Sequence, residues 1–372
     1  MLTITINSSE LSNKVQTISK IQDNKPVLPV LENIRFKCSD NVLSIEAAGT
    51  DCSARTSIPV VDGVDCTFGI ASALLVDILK SIPSQPITLE IENDNCTVRH
   101  ARGCMTVPVA DISDWPTTFS VEHKQTLTLS STCLKNIVQK CSPFVEVDEF
   151  KPALCTICLR YGNTDGKIEA VGTDGHSLLK LVYDCTSTVD GVHTVLVHRR
   201  FAKSLENMLS SATGDVDIHF DGRNVQVEMS GFDFTFRQVE GKFPNYNSVI
   251  PTNYTDSLVI NRKEFLQTLD YVRPCTNQTT MVVAVETGTD EITLQGIDTD
   301  MGRNAYASMA ASVSGSHVVA GLKDLYLTLI FKSITTDEVR VSYRSAQHAW
   351  VFQPVGTDTD NDMTIILMPM MV

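Results

Sequence analysis

The chain has 372 residues, of which 42% are hydrophobic and 20% charged, with only 14 prolines. This length exceeds what one hydrophobic core usually organises, and the composition excludes extended disorder, so we expect a globular protein of two or three domains. The formal net charge of −14 argues against a protein that coats nucleic acid with its whole surface, although it permits a local basic face.

Targeting signals and disulfides are both unexpected in this sequence. No apolar run approaches the ~18 residues of a membrane span, and the first residues, MLTITINSSEL, lack the basic and apolar regions of a secretion signal. The eleven cysteines are scattered singly, and their odd number leaves at least one unpaired. We therefore predict no membrane association, no disulfide framework and a reducing, cytoplasmic location.

Three segments of the chain follow one plan, beginning with the strand-like runs LTITI, LTLS and SLVI. In each segment an alternating strand enters an amphipathic helix, and two or three alternating strands then pass through a turn that contains Thr-Asp. The turn aspartates Asp51, Asp174 and Asp300 lie 123 (174 − 51) and 126 (300 − 174) residues apart. This period has the size of a domain.

Each segment continues with a second unit, in which a strand and helix precede a hairpin. These strand-and-helix runs are FGIASALLVDILKSI, VLVHRRFAKSLENML and VVAGLKDLYLTLIF. The pattern predicts an α+β fold of three similar domains, each with two helix-plus-strands units, over residues 1–121, 122–252 and 253–372. Such duplication can simply enlarge a stable body, but near-equivalent units also tend to close into a ring or an arc.

Each of the six predicted helices has one apolar stripe on a helical wheel. The stripes are Leu11, Val15 and Ile18; Leu74, Ile78 and Ile82; Leu134, Val138 and Cys141; Phe201, Leu205 and Met208; Phe265, Leu269 and Val272; and Leu322, Tyr326 and Leu329.

The same wheels place lysines away from the apolar stripes. Those nearly opposite a stripe are Lys20, Lys80, Lys203 and Lys263, and those on the flanks are Lys135, Lys140, Lys323 and Lys332. One interpretation is that these are ordinary solvated lysines. The other is a positive face that holds the phosphates of a polyanion without reading its sequence.

The sequence carries little catalytic chemistry. It has no Gly-rich phosphate loop, no GxSxG elbow and no HExxH motif. Cys155 and Cys158 fall three residues apart in an alternating run, which places their sulfurs on opposite faces of a strand. Without a second pair, we interpret them as core cysteines and not as a zinc site.

The segment Thr173-Asp174-Gly175-His176 places an acid beside a histidine near a turn. A catalytic dyad would need a nucleophile or a metal as third member, and nothing in the sequence nominates one. We favour a local turn in which Asp174 bonds the backbone and Gly175 takes a positive φ. An enzyme with its site at this turn is the alternative function.

Four motifs on the threefold repeat resemble the bacterial sliding clamp family, the beta subunit of DNA polymerase III. They are KPVLPVL (25–31), VGTDGHSL (171–178), GKFPNYNSVIP (241–251) and ILMPMMV (366–372). The resemblance covers the whole chain in the right order, and its weakness overall is compatible with a distant or phage-encoded version.

The resemblance implies a DNA polymerase processivity factor without enzymatic activity, cofactor or metal. In this family a head-to-tail homodimer closes six domains into a ring, with helices lining the hole and sheets outside. The ring would encircle duplex DNA and tether polymerases and other replication or repair proteins. Opening it should need an ATP-driven loader, since the chain has no nucleotide motif of its own.

The resemblance and the helix lysines together nominate two sets of site residues. The expected DNA-binding set is Lys20, Lys25, Lys80, Lys135, Lys140, Lys203, Lys263 and Lys332, in which Lys25 matches the basic residue before the family's Pro-x-Leu-Pro motif. The expected pocket for polymerase and clamp-loader peptides is Leu154, Thr173, Gly175, His176, Leu178, Pro244, Val249, Ile366, Met368, Pro369 and Met370. The pocket set is an apolar groove whose methionines can adapt to different guests.

The chain also departs from the family at the expected pocket. Ser177 and Met371 stand where the family usually has arginine, which predicts a less positive rim. Pro152 and Ala153 stand where the family has aromatic residues before Leu154. Contacts of that loop with DNA or partners are therefore in doubt.

Overall fold

The computed structural model describes residues 2–61, 63–116, 119–122, 125–162, 166–187, 191–356 and 362–371. The first third contains β1 (Leu2–Asn7), α1 (Ser8–Ile18), β2 (Asn33–Ser39), β3 (Val42–Ala48), β4 (Cys52–Pro59), β5 (Cys66–Ala71), α2 (Ser72–Ser81), β6 (Pro86–Glu92), β7 (Asn95–His100) and β8 (Gly103–Pro108). The middle third contains β9 (Gln125–Ser130), α3 (Ser131–Cys141), β10 (Thr156–Tyr161), β11 (Lys167–Thr173), β12 (Ser177–Asp184), β13 (Thr186–Ser187), β14 (His193–His198), α4 (Arg199–Leu209), β15 (Asp215–Phe220), β16 (Asn224–Met229) and β17 (Phe232–Arg237). The last third contains β18 (Asp256–Asn261), α5 (Arg262–Val272), β19 (Val282–Thr287), β20 (Glu291–Asp298), β21 (Arg303–Ser314), β22 (Val319–Lys323), α6 (Asp324–Ser333), β23 (Glu338–Tyr343), β24 (Trp350–Val355) and β25 (Met363–Leu367). Each third thus has two helices among many strands, which confirms the predicted α+β class.

The first helix of each repeat begins after a residue that caps it. The side-chain oxygen of Asn7 accepts hydrogen bonds from two backbone N–H groups in the first turn of α1. Asn261 caps α5 in the same way, and Ser130 accepts from the N–H of Cys133 at the start of α3. Such caps satisfy donors that have no partner inside the helix, and each contributes about 1 kcal/mol.

A glycine in each repeat lets a strand approach the end of the helix before it. A Cβ on Gly172 in β11 would lie 2.6 Å from the carbonyl oxygen of Cys141, the last residue of α3. Gly49 and Gly296 make the corresponding approach in the other two repeats, at 3.0 Å and 2.5 Å from a carbonyl oxygen. Real Cβ atoms do not approach backbone as closely as 2.5–2.6 Å, so the packing of strand on helix end requires glycine at 172 and 296, and a Cβ at 49 would be tight.

These glycines correct the predicted register of the third repeat. Asp51 and Asp174 lie two residues after their glycine, and the corresponding residue of the third repeat is Asp298 rather than Asp300. Asp298 is buried and accepts a hydrogen bond from the N–H of Met301, whereas Asp300 is exposed. Both aspartates belong to one Asp-Thr-Asp triplet, so the sequence period alone did not separate them.

The strands form three sheets whose pairings are all antiparallel. A four-stranded sheet has the order β1-β6-β7-β8, and a nine-stranded sheet has the order β13-β9-β15-β16-β17-β4-β3-β2-β5. A twelve-stranded sheet has the order β14-β10-β11-β12-β25-β24-β23-β18-β21-β20-β19-β22. The two larger sheets each join strands from different repeats.

The chain divides into two compact units. The first holds Met1–Val138, Cys185–Gly191 and Arg200–Glu240, and the second holds Gln139–Asp184, Val192–Arg199 and Gly241–Val372. The middle third is shared between them, so the predicted boundaries of three domains stay a prediction. The first unit contains the two smaller sheets and the second contains the twelve-stranded sheet.

Four helices bury the predicted stripe, whereas α2 buries Ile78 and Ile82 of its stripe but not Leu74. In α2 the buried side chains are Leu75, Ile78 and Leu79, and the predicted Leu74 is exposed. The run SALLVDIL has apolar side chains on nearly every side, so the pattern did not identify the face that meets the sheet.

The helix α6 also buries a face other than the predicted one, because it begins later in the sequence than predicted. It begins only at Asp324, so Leu322 belongs to β22, and the helix buries Leu327, Ile330 and Phe331. Phe331 stacks on Phe265 of α5 with ring centroids 3.9 Å apart. The position of the first helical turn therefore sets which face enters the core.

Two observations bear on the environment of the chain. Across the described ranges, none of the helices combines the length and apolar character needed to traverse a lipid bilayer. No disulfide joins the cysteines of the described ranges.

Candidate functional site

A cavity of about 340 Å³ lies in the second unit, where segments remote in the sequence meet. Its lining residues are Leu154, Thr173, Gly175, His176, Ser177, Leu178, Pro244, Asn245, Tyr246, Val249, Ile366 and Met368. Nine of the eleven residues predicted for the pocket are among them. The structure thus brings together residues that the sequence separates by more than 200 positions.

Strand pairing explains why the C-terminal tail reaches this cavity. The strands β12 and β25 are neighbours in the twelve-stranded sheet, with Leu178 opposite Ile366 and Ser177 opposite Leu367. The backbone N–H of Met368 then donates to the carbonyl oxygen of His176 at 3.0 Å. Two walls of the cavity are therefore fixed by one antiparallel ladder.

The tail leaves the cavity after Met368. The N–H of Met370 donates to the carbonyl oxygen of Gly321 at 2.8 Å, which directs the tail along β22. Pro369 and Met370, which the sequence analysis placed in the pocket, consequently do not line the cavity. Val372, the end of the predicted motif, lies outside the described residues.

The turn between β11 and β12 is built by its own side chains. The Asp174 carboxylate oxygen Oδ1 accepts from the N–H groups of His176 and Ser177 at 2.9 Å and 2.7 Å. Gly175 has φ +89°, as the turn interpretation predicted, and its N–H donates to Thr173 Oγ1 at 3.1 Å. The second carboxylate oxygen, Oδ2, accepts from the Tyr326 hydroxyl at 2.6 Å.

The carboxylate of Asp174, the acid of the Thr-Asp-Gly-His segment, is engaged by these contacts. Both oxygens of Asp174 hold local structure, and within the described part of the chain no hydrogen bond joins its carboxylate to the His176 ring. His176 is exposed at the edge of the cavity. The geometry is that of a turn at the rim of the cavity and not that of a catalytic acid–base pair.

Tyr246 forms a wall of the cavity that the sequence analysis did not single out. Its side chain is buried, and its hydroxyl donates to the carboxylate of Glu169, which also accepts from the Lys180 ammonium. Burial, followed by the hydrogen bond to Glu169, raises the pKa of Tyr246. The only sequence signal was the position of Tyr246 inside the family motif GKFPNYNSVIP.

Glu169 anchors this wall from behind. Burial alone would raise the pKa of its carboxyl, but the hydrogen bonds from Lys180 and Tyr246 outweigh burial and lower it. Arg160 adds an ion pair at 4.0 Å. A charged carboxylate with three such partners holds the tyrosine in one orientation.

The two positions that replace family arginines have different surroundings. Ser177 is buried, and its hydroxyl donates to Asp174 Oδ1 at 3.1 Å, so it belongs to the turn and not to the outer rim. Met371 is 97% exposed.

The loop that contains Pro152 and Ala153 still presents an aromatic side chain to solvent, since Phe150 lies in the same loop and is 96% exposed.

The predicted DNA-binding lysines are scattered and differ in exposure. Lys20, Lys25, Lys80, Lys203, Lys263 and Lys332 are exposed, and Lys135 and Lys140 are half-buried. Lys20 lies in a short 3-10 turn after α1, and Lys25 in the following loop. Six of the eight predicted lysines are therefore accessible to solvent.

Two of the exposed lysines have acidic neighbours. Lys203 pairs with Glu206 at 2.9 Å, and Lys263 pairs with Asp337 at 3.3 Å. Among the described residues Lys20 and Lys80 have no such ion pair. The positive charge of the helices is therefore partly neutralised, more so on α4 and α5.

The first unit also has a polar cleft of about 560 Å³ beside α1 and the end of α4. Lys14 and Lys20 line it, and the Lys14 ammonium donates to the carbonyl oxygen of Gly231 at 3.0 Å. The ammonium also lies 4.3 Å from the centre of the Phe232 ring, and burial lowers its pKa. Lys14 therefore serves packing, and the cleft lacks the apolar lining of the smaller cavity.

Comparison with known proteins follows the same division into thirds. Residues 2–119 of this chain match the sequence model of the N-terminal domain of the DNA polymerase III beta subunit. Residues 128–245 match the model of the central domain, and residues 247–371 match that of the C-terminal domain. The beta sliding clamp of Pseudomonas putida is 22% identical over 98% of this chain and 99% of its own.

Solved structures have the same fold. A sliding clamp from Pseudomonas aeruginosa bound to griselimycin has a TM-score of 0.94 at 20% identity, and the beta subunit from Thermotoga maritima has 0.92 at 19%. In both cases the match covers the whole of both chains. The cavity, the threefold repeat and these matches together establish that the chain belongs to the DNA polymerase III beta-subunit family and is a bacterial-type DNA sliding clamp.

Proposed function

We propose that this clamp is a non-enzymatic processivity factor that encloses duplex DNA as a head-to-tail homodimer and tethers polymerases through the cavity. The observation that carries the proposal is the apolar cavity of about 340 Å³, assembled from segments remote in sequence. An extended peptide that buries one or two apolar anchors there would gain ~1.5–3 kcal/mol for each. A clamp-loader peptide would use the same cavity before the polymerase does.

The helix lysines support a loose contact with the DNA backbone. Phosphate contacts from exposed lysines carry no sequence information and weaken with salt, so they permit sliding. Retention then depends on the closed ring and not on the strength of those contacts. Exposed, partly neutralised lysines fit a clamp in which the ring provides retention and the lysines provide only weak contacts.

Two strand edges are candidates for the joint of the dimer. Within the described residues, β8 is the last strand of its sheet and pairs only with β7. The first part of β21, Arg303–Ala310, pairs only with β20, and Tyr306 on it is 76% exposed. Unpaired edges are stabilised by a strand from another chain, so a head-to-tail joint between β8 and β21 would satisfy both.

The enzyme alternative finds no support at the Thr-Asp-Gly-His turn, where Asp174 is occupied by backbone groups and by Tyr326. The function needs no cofactor. Cysteines without disulfides fit the reducing cytoplasm, where replication takes place.

The test is retention on circular DNA. The clamp is loaded onto a nicked plasmid with its ATP-driven loader, and the plasmid is then cut once. We expect the clamp to stay on the circle, to leave after linearisation, and to sediment as a dimer of the 40.9 kDa chain. Equal retention on circular and linear DNA, or a monomer at micromolar concentration, would contradict the proposal.

Griselimycin offers a defined probe of the cavity, since a sliding clamp of the same fold from Pseudomonas aeruginosa is bound to it. We expect the compound to bind this chain and to compete with a peptide from the cognate polymerase. Calorimetry with Leu178→Asp and the distant control Lys37→Glu would locate the site. Binding that survives Leu178→Asp in a folded protein would place it outside the cavity.

A further inference from the structure

A group of three different metal-binding side chains lies outside the sites described so far. The Glu149 carboxylate, the Cys155 thiol and the His198 imidazole each offer a ligand atom, and all three atoms lie within 4.8 Å of one another. They come from one compact unit and from two separated segments of the chain. The three residues are too far apart in sequence to form a metal-binding motif, and the nearest cysteine to Cys155 is Cys158.

Sheet pairing holds two of the three residues together. Cys155 directly precedes β10, and His198 is the last residue of β14, where it pairs with Thr156 of β10. The backbone N–H of Arg199 also donates to the carbonyl oxygen of Cys155 at 2.8 Å. The thiol and the imidazole therefore belong to a rigid part of the fold, which is what a preformed site requires.

The third residue is delivered by a structured loop. Glu146 accepts hydrogen bonds from the N–H groups of Val147 and Asp148 at 2.9 Å and 3.2 Å, and its other carboxylate oxygen pairs with Lys151. The Cys155 thiol donates to the carbonyl oxygen of Asp148 at 3.2 Å. These contacts hold the loop over the end of β14 and place Glu149 beside His198.

The spacing of two of the three ligand atoms fits a tetrahedral ion. His198 Nε2 and Glu149 Oε2 lie 3.3 Å apart. Two ligands with bonds of about 2.0–2.2 Å to one tetrahedral zinc ion lie about 3.4 Å from each other. The ion could thus take the place of the direct contact with little movement of either side chain.

Burial in the group is graded from inside to outside. The Cys155 side chain is fully buried, and that of His198 is 11% exposed, whereas that of Glu149 is 69% exposed. A cation would enter past the glutamate and meet the sulfur and nitrogen ligands last. This arrangement gives an entry path without a new opening in the fold.

We propose that Glu149, Cys155 and His198 bind one Zn²⁺ ion per chain, with the fourth coordination position left to water. Thiolate and imidazole ligands select zinc over magnesium or calcium, and a carboxylate completes a mixed set that zinc accepts. The bound ion would fasten the loop of residues 146–154 to β14. Leu154 of this loop lines the peptide cavity, so the ion would stabilise one edge of that cavity.

The experiment measures Zn²⁺ alone, by equilibrium dialysis of the full chain followed by metal analysis. We expect one equivalent per chain, and at least about 100-fold weaker binding in Cys155→Ser, since even changes outside the ligand set cost 10–100-fold. Glu149→Gln, an exposed substitution that leaves the fold intact, should weaken binding at least about tenfold. Cobalt substitution should give a thiolate charge-transfer band that is lost in Cys155→Ser.

The matched controls are Cys158→Ser, three residues from the proposed ligand, and Cys104→Ser, which removes an exposed thiol. Both should bind zinc as the unchanged chain does. No stoichiometric zinc, or equal affinity in the unchanged chain and Glu149→Gln, would overturn the proposal. The zinc measurement does not depend on DNA or polymerase binding, so it tests the metal site independently of the proposed function.

Discussion

The apolar cavity and the lysine-bearing helices are built in opposite ways. The cavity is lined by four chain segments, and its tyrosine wall is held by a half-buried charged network. The lysines lie on several elements, with Lys135 and Lys140 both on α3, and Lys203 and Lys263 already have acidic partners. The cavity is thus a preorganised site, whereas the lysines are separate positive charges.

This difference teaches how a sliding clamp can be specific and mobile at once. A docking site must hold a peptide against dissociation, so it needs shape and buried contacts. A sliding surface must not hold any one position on DNA, so weak and interchangeable contacts serve it better. Predictions that alter one region and leave the other unchanged can break or sharpen this contrast.

The largest effect should come from the C-terminal tail. Deleting residues 368–372 removes Met368 from the cavity and the hydrogen bond from its N–H to His176. We expect polymerase-peptide binding to weaken by about 100-fold or more, at ~1.4 kcal/mol per decade, in isothermal calorimetry. The matched deletion of residues 371–372 keeps Met368 and should bind normally.

Sedimentation must accompany that comparison. Both deletions should leave the dimer intact, because the cavity lies within one compact unit of one chain. Equal peptide affinities for the two deletions would refute the pocket assignment.

The next effect concerns ring closure. Tyr306→Asp places a carboxylate on the unpaired part of β21, where a partner strand would have to desolvate it. We expect the dimer dissociation constant to rise about tenfold or more, which is ~1.4 kcal/mol, and the lifetime on circular DNA to fall with it. Phe150→Asp, another exposed aromatic, is the matched control for sedimentation. A Tyr306→Asp dimer of unchanged strength would exclude this edge from the joint.

A smaller effect should follow from reversing the lysines that lack acidic partners. Each lost phosphate contact lowers the slope of log affinity against log salt by ~0.9, so Lys20→Glu with Lys80→Glu should lower it by ~2. Lys203→Glu with Lys263→Glu should lower it less, because these two lysines are already paired. Fluorescence anisotropy on linear DNA at several salt concentrations measures the slopes.

The control for the lysine pairs is Lys37→Glu with Lys242→Glu, two exposed lysines outside the helices. This control should leave the slope unchanged, and all variants should remain folded because exposed charges contribute little to stability. If the control pair lowered the slope as much as Lys20 and Lys80 do, the helices would not be the DNA face.

The smallest effect concerns acid stability of the cavity wall. Since the folded state lowers the pKa of Glu169, its carboxylate stabilises the fold above the unfolded pKa, and that stabilisation is lost as pH falls through the folded pKa. Glu169→Gln should therefore lower the free energy of unfolding by about 1 kcal/mol at pH 7 and by less at pH 3, as measured by urea denaturation. The same loss at both pH values would show that the charge of Glu169 does not matter.

Sequence patterns were sufficient where the physics is local or repeated. The positive φ at Gly175 depends on a few neighbouring residues and was predicted from them. The caps at Asn7 and Asn261 are equally local, although the sequence analysis did not name them. The cavity residues were predicted only through family motifs. Their meeting depends on the pairing of β12 with β25, which no local pattern encodes.

Side-chain partnerships across the fold were not predictable in this way. Tyr246 and Glu169 are 77 positions apart, and His198 meets Cys155 only because β14 pairs with β10. The stripe of α2 was wrong at Leu74, because the helix has apolar side chains on most of its faces, and that of α6 was wrong because the helix begins only at Asp324. The family motifs thus named most residues that line the cavity, but the groups that support it were missed.

The confinement of the cavity to one compact unit sets the valence of the assembly. Because segments of one compact unit enclose the cavity, each protomer of the proposed dimer would carry a complete cavity, including while the ring is open. Under the proposed function, a closed clamp would offer two equivalent binding sites, which two different proteins could occupy at the same time. A loader and a polymerase could then exchange on one ring without either protein having to release the DNA first.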